Sequence, residues 1–418
     1  MSDAEGVVRM KAVQFDFNIP KWAYSQVAGR ISKKEFYGPR SMIKYRDVPE
    51  PEIRGPRWLK LRNILSGFCG SDLGLILLHD HPTTEVFSSF PFTIGHENCS
   101  IVEEVGSDVK GLKKGDRVVV DAVLDCAVRD IDPPCGACAS GFPANCENFA
   151  EGDLSVGMFT GYCADTGGGW SKYFLAHESQ VYKISDKVTD EQAVMMETLS
   201  SCLHPVFQGM PESGQKVLVI GCGVIGIGVI ASIRALGIDC HITGIEPVPL
   251  NQQKAREKGA DEIIDPTKEN VYERTRQVTG AHVYKPTLAK PICMGGFDRV
   301  FDCVGSTDTI NEACRLVAGR AKIVVIGIQI PKTIDWTPIW MKGLTIIGDL
   351  GYGVEDFRGK RLTTFEIAID LVTKGKIDIS DFITHRFRLD QYKEAIEVNM
   401  NKAAHGAIKT IFDLSDQE

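Results

Sequence analysis

The stretch KVLVIGCGVIGIGVIASIRALG, residues 216–237, indicates the fold of one half of this chain. A short apolar run leads to three glycines, Gly221, Gly223 and Gly226, and then to apolar residues with a helical period. A membrane span requires about 20 apolar residues, whereas the apolar run 217–233 is shorter and contains four glycines. The stretch therefore predicts a buried strand, a tight turn and a helix of a globular domain.

Strands and helices alternate around this stretch, from about residue 203 to residue 350. Further strands are predicted in DCHITGIE (239–246), FDRVFDCVG (297–305) and AKIVVIGI (321–328), with helices between them. This alternation is typical of a doubly wound parallel sheet, so the predicted fold class is α/β. Residues 1–202 and 351–418 carry short strands bounded by Gly, Pro and Asp, which predicts a second, β-rich domain.

The glycine pattern also predicts a dinucleotide site. A lone GxGxxG is weak evidence, but this one follows a strand, opens a helix and has Glu246 at the end of the next strand. Glu246 is expected to bind the ribose hydroxyls and to repel a 2′-phosphate, and residues 247–253 contain no Lys or Arg, so we expect NAD rather than NADP. The alternative is that the glycines only pack helix against sheet. The predicted cofactor-binding residues are Gly221, Gly223, Val224, Ile225, Gly226, Glu246, Cys303, Val304, Gly327 and Ile328.

Composition excludes several other classes of protein. The 418 residues carry a net charge of −8 without a Lys/Arg block, which disfavours nucleic acid as a partner. The start, MSDAEGVVRMK, has no apolar core of a secretory signal, and we expect neither secretion nor a membrane partner. The 13 cysteines are then expected to be mostly reduced thiols in the cytoplasm.

Two short motifs in the β-rich half contain candidate metal ligands: GFCGSD (67–72) and GHE (95–97). Cys69, His96 and a later carboxylate would suit a zinc ion with an open position. Each residue alone could equally be part of the core, since a lone cysteine is usually just buried. With GDRV (115–118) and the glycine motif in this order, the chain resembles the zinc-dependent alcohol dehydrogenases of the medium-chain dehydrogenase/reductase superfamily, over nearly its whole length.

The resemblance implies a GroES-like catalytic domain, residues 1–202 and 351–418, and a Rossmann NAD-binding domain, residues 203–350. It implies an NAD(P)-dependent alcohol dehydrogenase that binds a small alcohol or ketone and forms a homodimer or homotetramer. The implied zinc ligands are Cys69, His96, Glu97 and Glu197, with Cys202 fitting the family pattern less well. Ser71 would relay the alcohol proton, and Asp72 would orient His96.

One departure concerns the proton relay. Many relatives carry a histidine where this chain has Gly74. His79 and His81 could replace it, or they could be polar residues of an exposed loop. Two alternatives to the alcohol dehydrogenase stay open. One is a zinc-free enone or quinone reductase of the same superfamily, and the other is a binding protein that has kept the fold without the chemistry.

The stretch CAVRDIDPPCGACASGFPANC (126–146) contains four cysteines, and the family carries a structural zinc in this region. Cys135, Cys138 and Cys146 match the last three ligands of the family pattern C-x2-C-x2-C-x7-C. The first ligand would be Asp132, or Cys126 could loop back to replace it. The resemblance therefore favours a structural zinc with an open choice of fourth ligand. The alternatives are a disulfide, a redox pair or a loop without metal.

Overall fold

The computed structural model describes residues 8–79, 82–327, 329 and 333–416. The chain divides into two compact units. The first comprises the described parts of Met1–Glu197 with Asp356–Thr373 and Asp378–Glu418, and the second comprises Thr198–Glu355 with Lys374–Ile377.

The strands and helices of the described residues are as follows, in chain order. The strands are β1 Arg9–Phe15, β2 Ile43–Pro49, β3 Trp58–Phe68, β4 Phe92–Thr93, β5 Asn98–Val105, β6 Arg117–Val120, β7 Tyr173–His177, β8 Val181–Lys183, β9 Lys216–Ile220, β10 His241–Ile245, β11 Glu262–Ile264, β12 His282–Tyr284, β13 Ile292–Met294, β14 Phe297–Asp302, β15 Val317–Val325, β16 Thr345–Gly348, β17 Val354–Phe357, β18 Lys360–Thr363, β19 Ile383–Arg388 and β20 Lys409–Asp413. The helices are α1 Ile19–Ile31, α2 Gly70–Ile76, α3 Gly136–Ser140, α4 Asp190–Val194, α5 Met196–Gln208, α6 Val224–Ala235, α7 Pro249–Glu257, α8 Val271–Thr279, α9 Thr307–Leu316, α10 Trp336–Lys342, α11 Thr364–Thr373, α12 Tyr392–Met400 and α13 Lys402–His405.

The second unit is built on a six-stranded parallel sheet in the order β11-β10-β9-β14-β15-β16. Counted along the chain within this sheet, the order is 3-2-1-4-5-6, that of the dinucleotide-binding fold. β9 lies in the middle and is buried from Val217 to Ile220, which explains its unbroken apolar sequence. The predicted α/β class and its parallel sheet are confirmed.

The first unit is built on a seven-stranded sheet in which β3 pairs with β5, β7 and β20. All pairs are antiparallel except β19 with β20. The closing strand β20 places Phe412 opposite Ser66 of β3, so the end of the chain completes the sheet of its first half. No helix among the described residues has the length and the hydropathy of a membrane span.

Two further segments have regular structure. The irregular sequence between Phe15 and Tyr45 is compatible with a loop or a short helix, and the structure forms the 13-residue helix α1 there, capped by Asn18. Its helical period is hidden because apolar side chains such as Ile19, Val27 and Ile31 are exposed. The segment 282–296 contains the antiparallel hairpin of β12 and β13.

Candidate active site and metal centres

Cys69, His96 and Glu97 meet at one edge of the large sheet of the first unit. Cys69 follows β3 and precedes α2, and the other two residues immediately precede β5. Since β3 and β5 pair with Ser66 opposite Asn98, these residues leave the sheet at the same place. One ligand atom of each side chain lies within 4.8 Å of the other two. Thiolate, imidazole and carboxylate are the ligands of zinc, and three of them leave a position open for catalysis, so the donor set fits a catalytic zinc ion.

Asp72 fixes the orientation of His96. One Asp72 carboxylate oxygen accepts a hydrogen bond from the backbone N–H of Cys69 at 2.8 Å, and the other lies 3.4 Å from Nδ1 of His96. Both side chains are buried. Burial alone would lower the pKa of His96, but negative charge on Asp72 and Cys69 raises it well above its usual value. With Nδ1 directed at Asp72, Nε2 is the nitrogen available to a metal.

Lys409 holds Glu97 in a buried ion pair. Its Nζ lies 2.5 Å from both carboxylate oxygens of Glu97, and both side chains are almost fully buried. Burial lowers the pKa of Lys409, but Glu97 and Cys69 together raise it above its usual value. Gly67 makes room for this arrangement, because a Cβ there would lie 1.7 Å from a Glu97 oxygen. The sequence reasoning missed Lys409, although a lysine within the apolar closing strand was a usable signal.

A second lysine lies close to the same group of charges. Lys402 donates a hydrogen bond from Nζ to the backbone carbonyl of Ile408 at 3.0 Å. Burial and the positive charge of Lys409 lower its pKa to about 8, although Cys69 and Glu97 act in the opposite direction. Lys402 and Lys409 therefore both interact electrostatically with Cys69 and Glu97, which was not foreseen from the sequence.

The remaining predicted catalytic residues lie at different distances from this cluster. Glu197, in the first turn of α5, is largely buried and contributes to the field at Lys409, but it is not one of the three side chains whose ligand atoms meet. Ser71 is exposed in the first turn of α2. Cys202 belongs to the second unit, where its thiol donates to the carbonyl of Ile225 at 3.6 Å.

Gly74 lies where the family pattern has the relay histidine, and His79 is close to it. His79 donates its backbone N–H to the carbonyl of Gly74 at 2.9 Å, so the backbone of His79 lies next to the position where the family pattern has histidine. Burial and Lys33 lower the pKa of the His79 imidazole. His81 lies outside the described residues. Tyr162, which the sequence reasoning did not single out, has its ring centroid 6.1 Å from that of His96.

Four cysteines form a second cluster in the first unit. One sulfur each from Cys126, Cys135, Cys138 and Cys146 lies within 4.8 Å of the other three, and the Cys126 and Cys146 sulfurs are 3.6 Å apart. None of the four is in a disulfide. Four thiolates in one place are the donor set of a closed, structural zinc site, and the cluster fits such an ion.

The structure places Cys126, and not Asp132, in this group of side chains. Residues 125–131 form a turn, with the Arg129 N–H bonded to the Asp125 carbonyl and the Ile131 N–H bonded to the Cys126 carbonyl. The turn directs Cys126 back toward the other cysteines, whereas Asp132 is exposed and outside the group. The spacing of the first ligand therefore departs from the family pattern, because an extra turn separates it from Cys135.

The sulfurs of this cluster accept hydrogen bonds from nitrogen donors. Backbone N–H groups of Cys135, Glu147 and Asn148 donate to cluster sulfurs at 3.3–3.4 Å, and the Asn148 side chain donates to Cys126 at 3.4 Å. Burial raises the pKa of Cys146 to about 11, whereas for Cys135 the N–H donors outweigh burial and lower the pKa to about 7. Donors aimed at sulfur stabilise thiolates and suit a metal-bound state.

In the second unit, the predicted cofactor residues converge at the carboxyl ends of β9, β14 and β15. A Cβ on Gly221 would lie 2.4 Å from a Val304 methyl group, and one on Gly327 would lie 2.4 Å from the Val304 backbone. Gly221 has a φ of +80°, and Cys303 donates its N–H to the Ile220 carbonyl at 2.9 Å. Gly223 caps α6, and Val224, Ile225 and Gly226 form its first turn. Ile328 lies outside the described residues. This edge, where the strand order reverses, is where such sheets bind ligands.

Glu246 follows β10 and is turned toward the glycine-rich loop. Its carboxylate accepts hydrogen bonds from the backbone N–H groups of Cys222 and Val248, both at 2.8 Å. Burial raises the pKa of Glu246, and these two backbone donors act against the rise. The glycine loop and the acidic residue are therefore joined directly, as the sequence spacing suggested.

The comparisons with known proteins place the chain in one family. Residues 55–186 match the model of the alcohol dehydrogenase GroES-like domain, and residues 224–366 match that of the zinc-binding dehydrogenases. The (R,R)-butanediol dehydrogenase of Neisseria gonorrhoeae is 31% identical over 84% of this chain and 90% of its own length. The sorbitol dehydrogenase of Pongo abelii is 28% identical over 84% and 87%. The crystal structure of 2R,3R-butanediol dehydrogenase from Bacillus subtilis matches 97% of this chain and 99% of its own, with 25% identity and a TM-score of 0.72. This chain therefore belongs to the zinc-dependent alcohol dehydrogenases of the medium-chain dehydrogenase/reductase superfamily, oxidoreductases that use zinc and a nicotinamide cofactor.

Proposed function

We propose that this chain oxidises a secondary alcohol or polyol with NAD, or reduces the matching ketone, at a zinc ion held by Cys69, His96 and a glutamate. The observation that carries the proposal is the convergence of the Cys69, His96 and Glu97 ligand atoms within 4.8 Å. The names of the relatives support the substrate class, since butanediol and sorbitol are both polyhydric alcohols. The zinc-free reductase and the non-catalytic binding protein remain the alternatives that the test must exclude.

The choice of third ligand follows from the charges around the cluster. The Glu97 carboxylate already forms an ion pair with Lys409, which lowers its affinity for a metal. We therefore propose Glu197 as the resident third ligand and Glu97 as a carboxylate that can exchange into the site. When bound, zinc supplies Lewis acidity, which lowers the pKa of a substrate hydroxyl.

The residues of this chain then position the reactants and carry the proton. Asp72 holds the imidazole of His96, so that Nε2 keeps one direction throughout the cycle. The Ser71 hydroxyl, two residues from Cys69, can accept one proton while donating another, and we propose that it receives the proton of the alcohol. The nicotinamide supplies the acceptor for hydride, and the protein supplies position and charge.

We propose that the cofactor is NAD and that it binds within the predicted nucleotide-binding domain, residues 203–350. The backbone of the glycine turn and the first turn of α6 would bind the pyrophosphate, since N–H groups and the helix dipole favour anions there. The buried carboxylate of Glu246 would bind the ribose hydroxyls and repel a 2′-phosphate.

We further propose that the four cysteines hold a structural zinc and that the chain is a homo-oligomer. A self-association surface is supported by the edge strand β16 and the neighbouring helix α10, which expose apolar side chains. These residues are Trp336, Trp340, Met341 and Ile346, and Leu350 is exposed two residues after β16. An unpaired strand edge with this much apolar surface is suited to pairing with a second copy.

The test combines metal analysis with turnover. Purified protein is expected to contain two zinc ions per chain, one for each cluster, and to form NADH from at least one member of a panel of secondary alcohols and polyols. Cys69→Ser should lose one zinc and the activity, while Cys99→Ser, which alters a buried thiol of β5 outside both clusters, should keep both. Turnover without zinc would point to the reductase. Zinc binding with no turnover in either direction would point to the binding protein.

A further inference from the structure

Asp349 lies at the carboxyl end of β16, the last strand of the parallel sheet in the second unit. Its backbone N–H donates to the carbonyl of Val325, the last residue of β15, at 3.0 Å. Asp349 therefore lies on the same edge of the sheet as Cys303 and Gly327, which follow β14 and β15. This is the edge at which the predicted cofactor residues of the second unit converge.

The carboxylate of Asp349 is buried without a hydrogen-bond donor. Its side chain is 1% exposed, yet Oδ2 accepts no hydrogen bond from the described residues. The nearest basic nitrogen, Nε2 of His204, lies 3.9 Å away, which is too long for a hydrogen bond. Nδ1 of the same imidazole is bonded to the carboxylate of Glu355. Because a buried acceptor without a donor is costly, the position suits a partner from outside the chain.

Two other acids at this edge of the sheet show what a carboxylate with a local role does there. Glu246, after β10, accepts two backbone N–H groups at 2.8 Å each. Asp302, at the end of β14, accepts two backbone N–H groups at 3.0 Å through one oxygen. Both carboxylates thereby hold the loops that follow their strands. Among the described residues, Oδ2 of Asp349 has no such donor, so it does not hold a loop in this way.

The position of Asp349 in the sheet indicates which part of a dinucleotide it would meet. The sheet has two halves, β9-β10-β11 and β14-β15-β16, and a dinucleotide bound across the point of reversal places one mononucleotide on each half. In the proposed NAD site, Glu246 and the glycine turn of the first half bind the adenosine and the pyrophosphate. The second half, with Asp349 at the end of its last strand, is then left for the nicotinamide mononucleotide.

The charge of this group of side chains is suited to a cation. Two carboxylates and one imidazole carry at least one negative charge when both acids are ionised, whether or not His204 is protonated. Burial raises the pKa of Asp349 to about 7, while His204 acts to lower it and Glu355 adds to the rise. A cation placed beside Asp349 would favour its ionised form. The oxidised nicotinamide ring is such a cation, whereas the reduced ring is neutral.

We propose that Asp349 faces the nicotinamide half of the cofactor and that its carboxylate favours the oxidised, positively charged form over NADH. The inference rests on the proposed NAD site. Bound NAD⁺ gives the buried carboxylate its missing counter-charge, whereas NADH leaves that charge uncompensated. Tighter binding of the oxidised form makes bound NADH the stronger hydride donor and eases its departure from the protein. Asp349 is thus a residue that sets the preference between the two redox states of the cofactor.

The test measures the dissociation constants of NAD⁺ and NADH by calorimetry on the zinc-loaded protein, at about pH 8.5, where the Asp349 carboxylate is ionised. Asp349→Asn keeps the size of the side chain and removes its charge. Asp298→Asn is the matched control, because it removes an acid from the amino end of β14, at the opposite edge of the same sheet. We expect Asp349→Asn to weaken NAD⁺ binding about tenfold relative to NADH binding, and Asp298→Asn to leave the ratio unchanged.

The stability of the cofactor-free protein separates this role from a structural one. Its melting temperature should not fall in Asp349→Asn, because the removed charge has no donor there. Asp349→Ser, which also removes the charge and leaves more room, should shift the ratio of the two dissociation constants in the same direction. Failure of both variants to fold would contradict the proposal, because it would assign the carboxylate to the fold.

Two binding results lead to different conclusions. An unchanged ratio of the two dissociation constants in Asp349→Asn would overturn the proposal even if both affinities fall, because a structural role weakens both forms alike. A wild-type protein that binds neither NAD⁺ nor NADH would instead refute the proposed cofactor itself. The failure of this inference and the failure of the proposed function are therefore distinguishable.

Discussion

The two cysteine-containing clusters of the first unit differ in how they are assembled and in what surrounds them. The four-cysteine cluster comes from the single stretch 126–146, and its four donors are alike. The cluster of Cys69, His96 and Glu97 is assembled by pairing β3 with β5, and its donors are all different. Two charged side chains, Asp72 and Lys409, contact the cluster of Cys69, His96 and Glu97 directly. The sulfurs of the four-cysteine cluster accept hydrogen bonds mainly from backbone N–H groups.

The difference shows which features of a metal site go with chemistry. Four equal thiolates fill the coordination shell and leave no position for substrate. Three unlike donors leave a position open, and the neighbouring acid and base can adjust charge at that position. A density of cysteines is thus a signal of structure, while the sparser and more heterogeneous group is the one suited to catalysis.

The largest expected effect comes from removing a ligand of the cluster of Cys69, His96 and Glu97, called the open cluster here because three ligands leave one position free. Cys69→Ser should reduce kcat by at least about a thousandfold, because the Lewis acidity of zinc is worth several kcal/mol and each 1.36 kcal/mol is tenfold. The melting temperature should change little, since the sheet around the site remains. Steady-state kinetics and thermal unfolding of the same sample check both. Near-normal turnover would remove this cluster from the mechanism.

Removing a ligand of the four-cysteine cluster, called the closed cluster, should instead lower stability and leave turnover almost unchanged. Cys138→Ser should lose the second zinc and lower the melting temperature by roughly 10 °C, since a structural zinc contributes several kcal/mol. Turnover per folded molecule at low temperature should stay within about threefold of the wild type, because a zinc ion held by four thiolates leaves no position for substrate. A selective loss of kcat with unchanged stability would contradict the assignment of a structural role to the four-cysteine cluster and a catalytic role to the other cluster.

A third comparison tests the charges around the open cluster. Lys409→Met should destabilise the protein by about 3–5 kcal/mol, because it leaves the buried Glu97 carboxylate without its partner. Lys402→Met is the matched control. Its ammonium bonds only a backbone carbonyl in the described contacts, so the cost should be about 1–2 kcal/mol. Denaturant unfolding of both variants measures the difference, and equal costs would show that the ion pair has no special weight.

The smallest expected effect concerns the cofactor. Glu246→Ala should narrow the preference for NAD over NADP by about tenfold, or about 1.4 kcal/mol, because it removes both the ribose acceptor and the repulsion of a 2′-phosphate. Both metal clusters should keep their zinc. The ratio of kcat/KM for the two cofactors is the measurement. A native preference for NADP would show that the charge of Glu246 does not decide the choice.

Local sequence patterns were sufficient to predict much of the fold. The segment from Lys216 to Gly237 predicted strand, turn and helix because its apolar run, glycines and helical period all pointed to one arrangement. For helix α1 the sequence left loop and short helix open, because several of its apolar residues, including Ile19 and Ile31, are exposed, so no buried stripe marks it. The sequence pattern is informative only where one face of an element is buried.

The candidate site was predictable to the extent that its residues match short motifs. Cys69 and His96 were assigned from GFCGSD and GHE, but their meeting depends on the pairing of β3 and β5, which spacing alone does not reveal. Lys409 was missed because it lies far along the chain from Glu97 and joins it only through the closing strand. Cys126 could not be chosen over Asp132 until the turn 125–131 was defined.

We propose that the catalytic metal is held by the cluster of Cys69, His96 and Glu97 and not by the four cysteines. X-ray absorption at the zinc edge of active Cys138→Ser can decide this, since that variant should retain only the zinc at Cys69. We expect a shell with one sulfur, from Cys69, and otherwise nitrogen and oxygen ligands. An active variant whose zinc is surrounded by sulfur alone would contradict it.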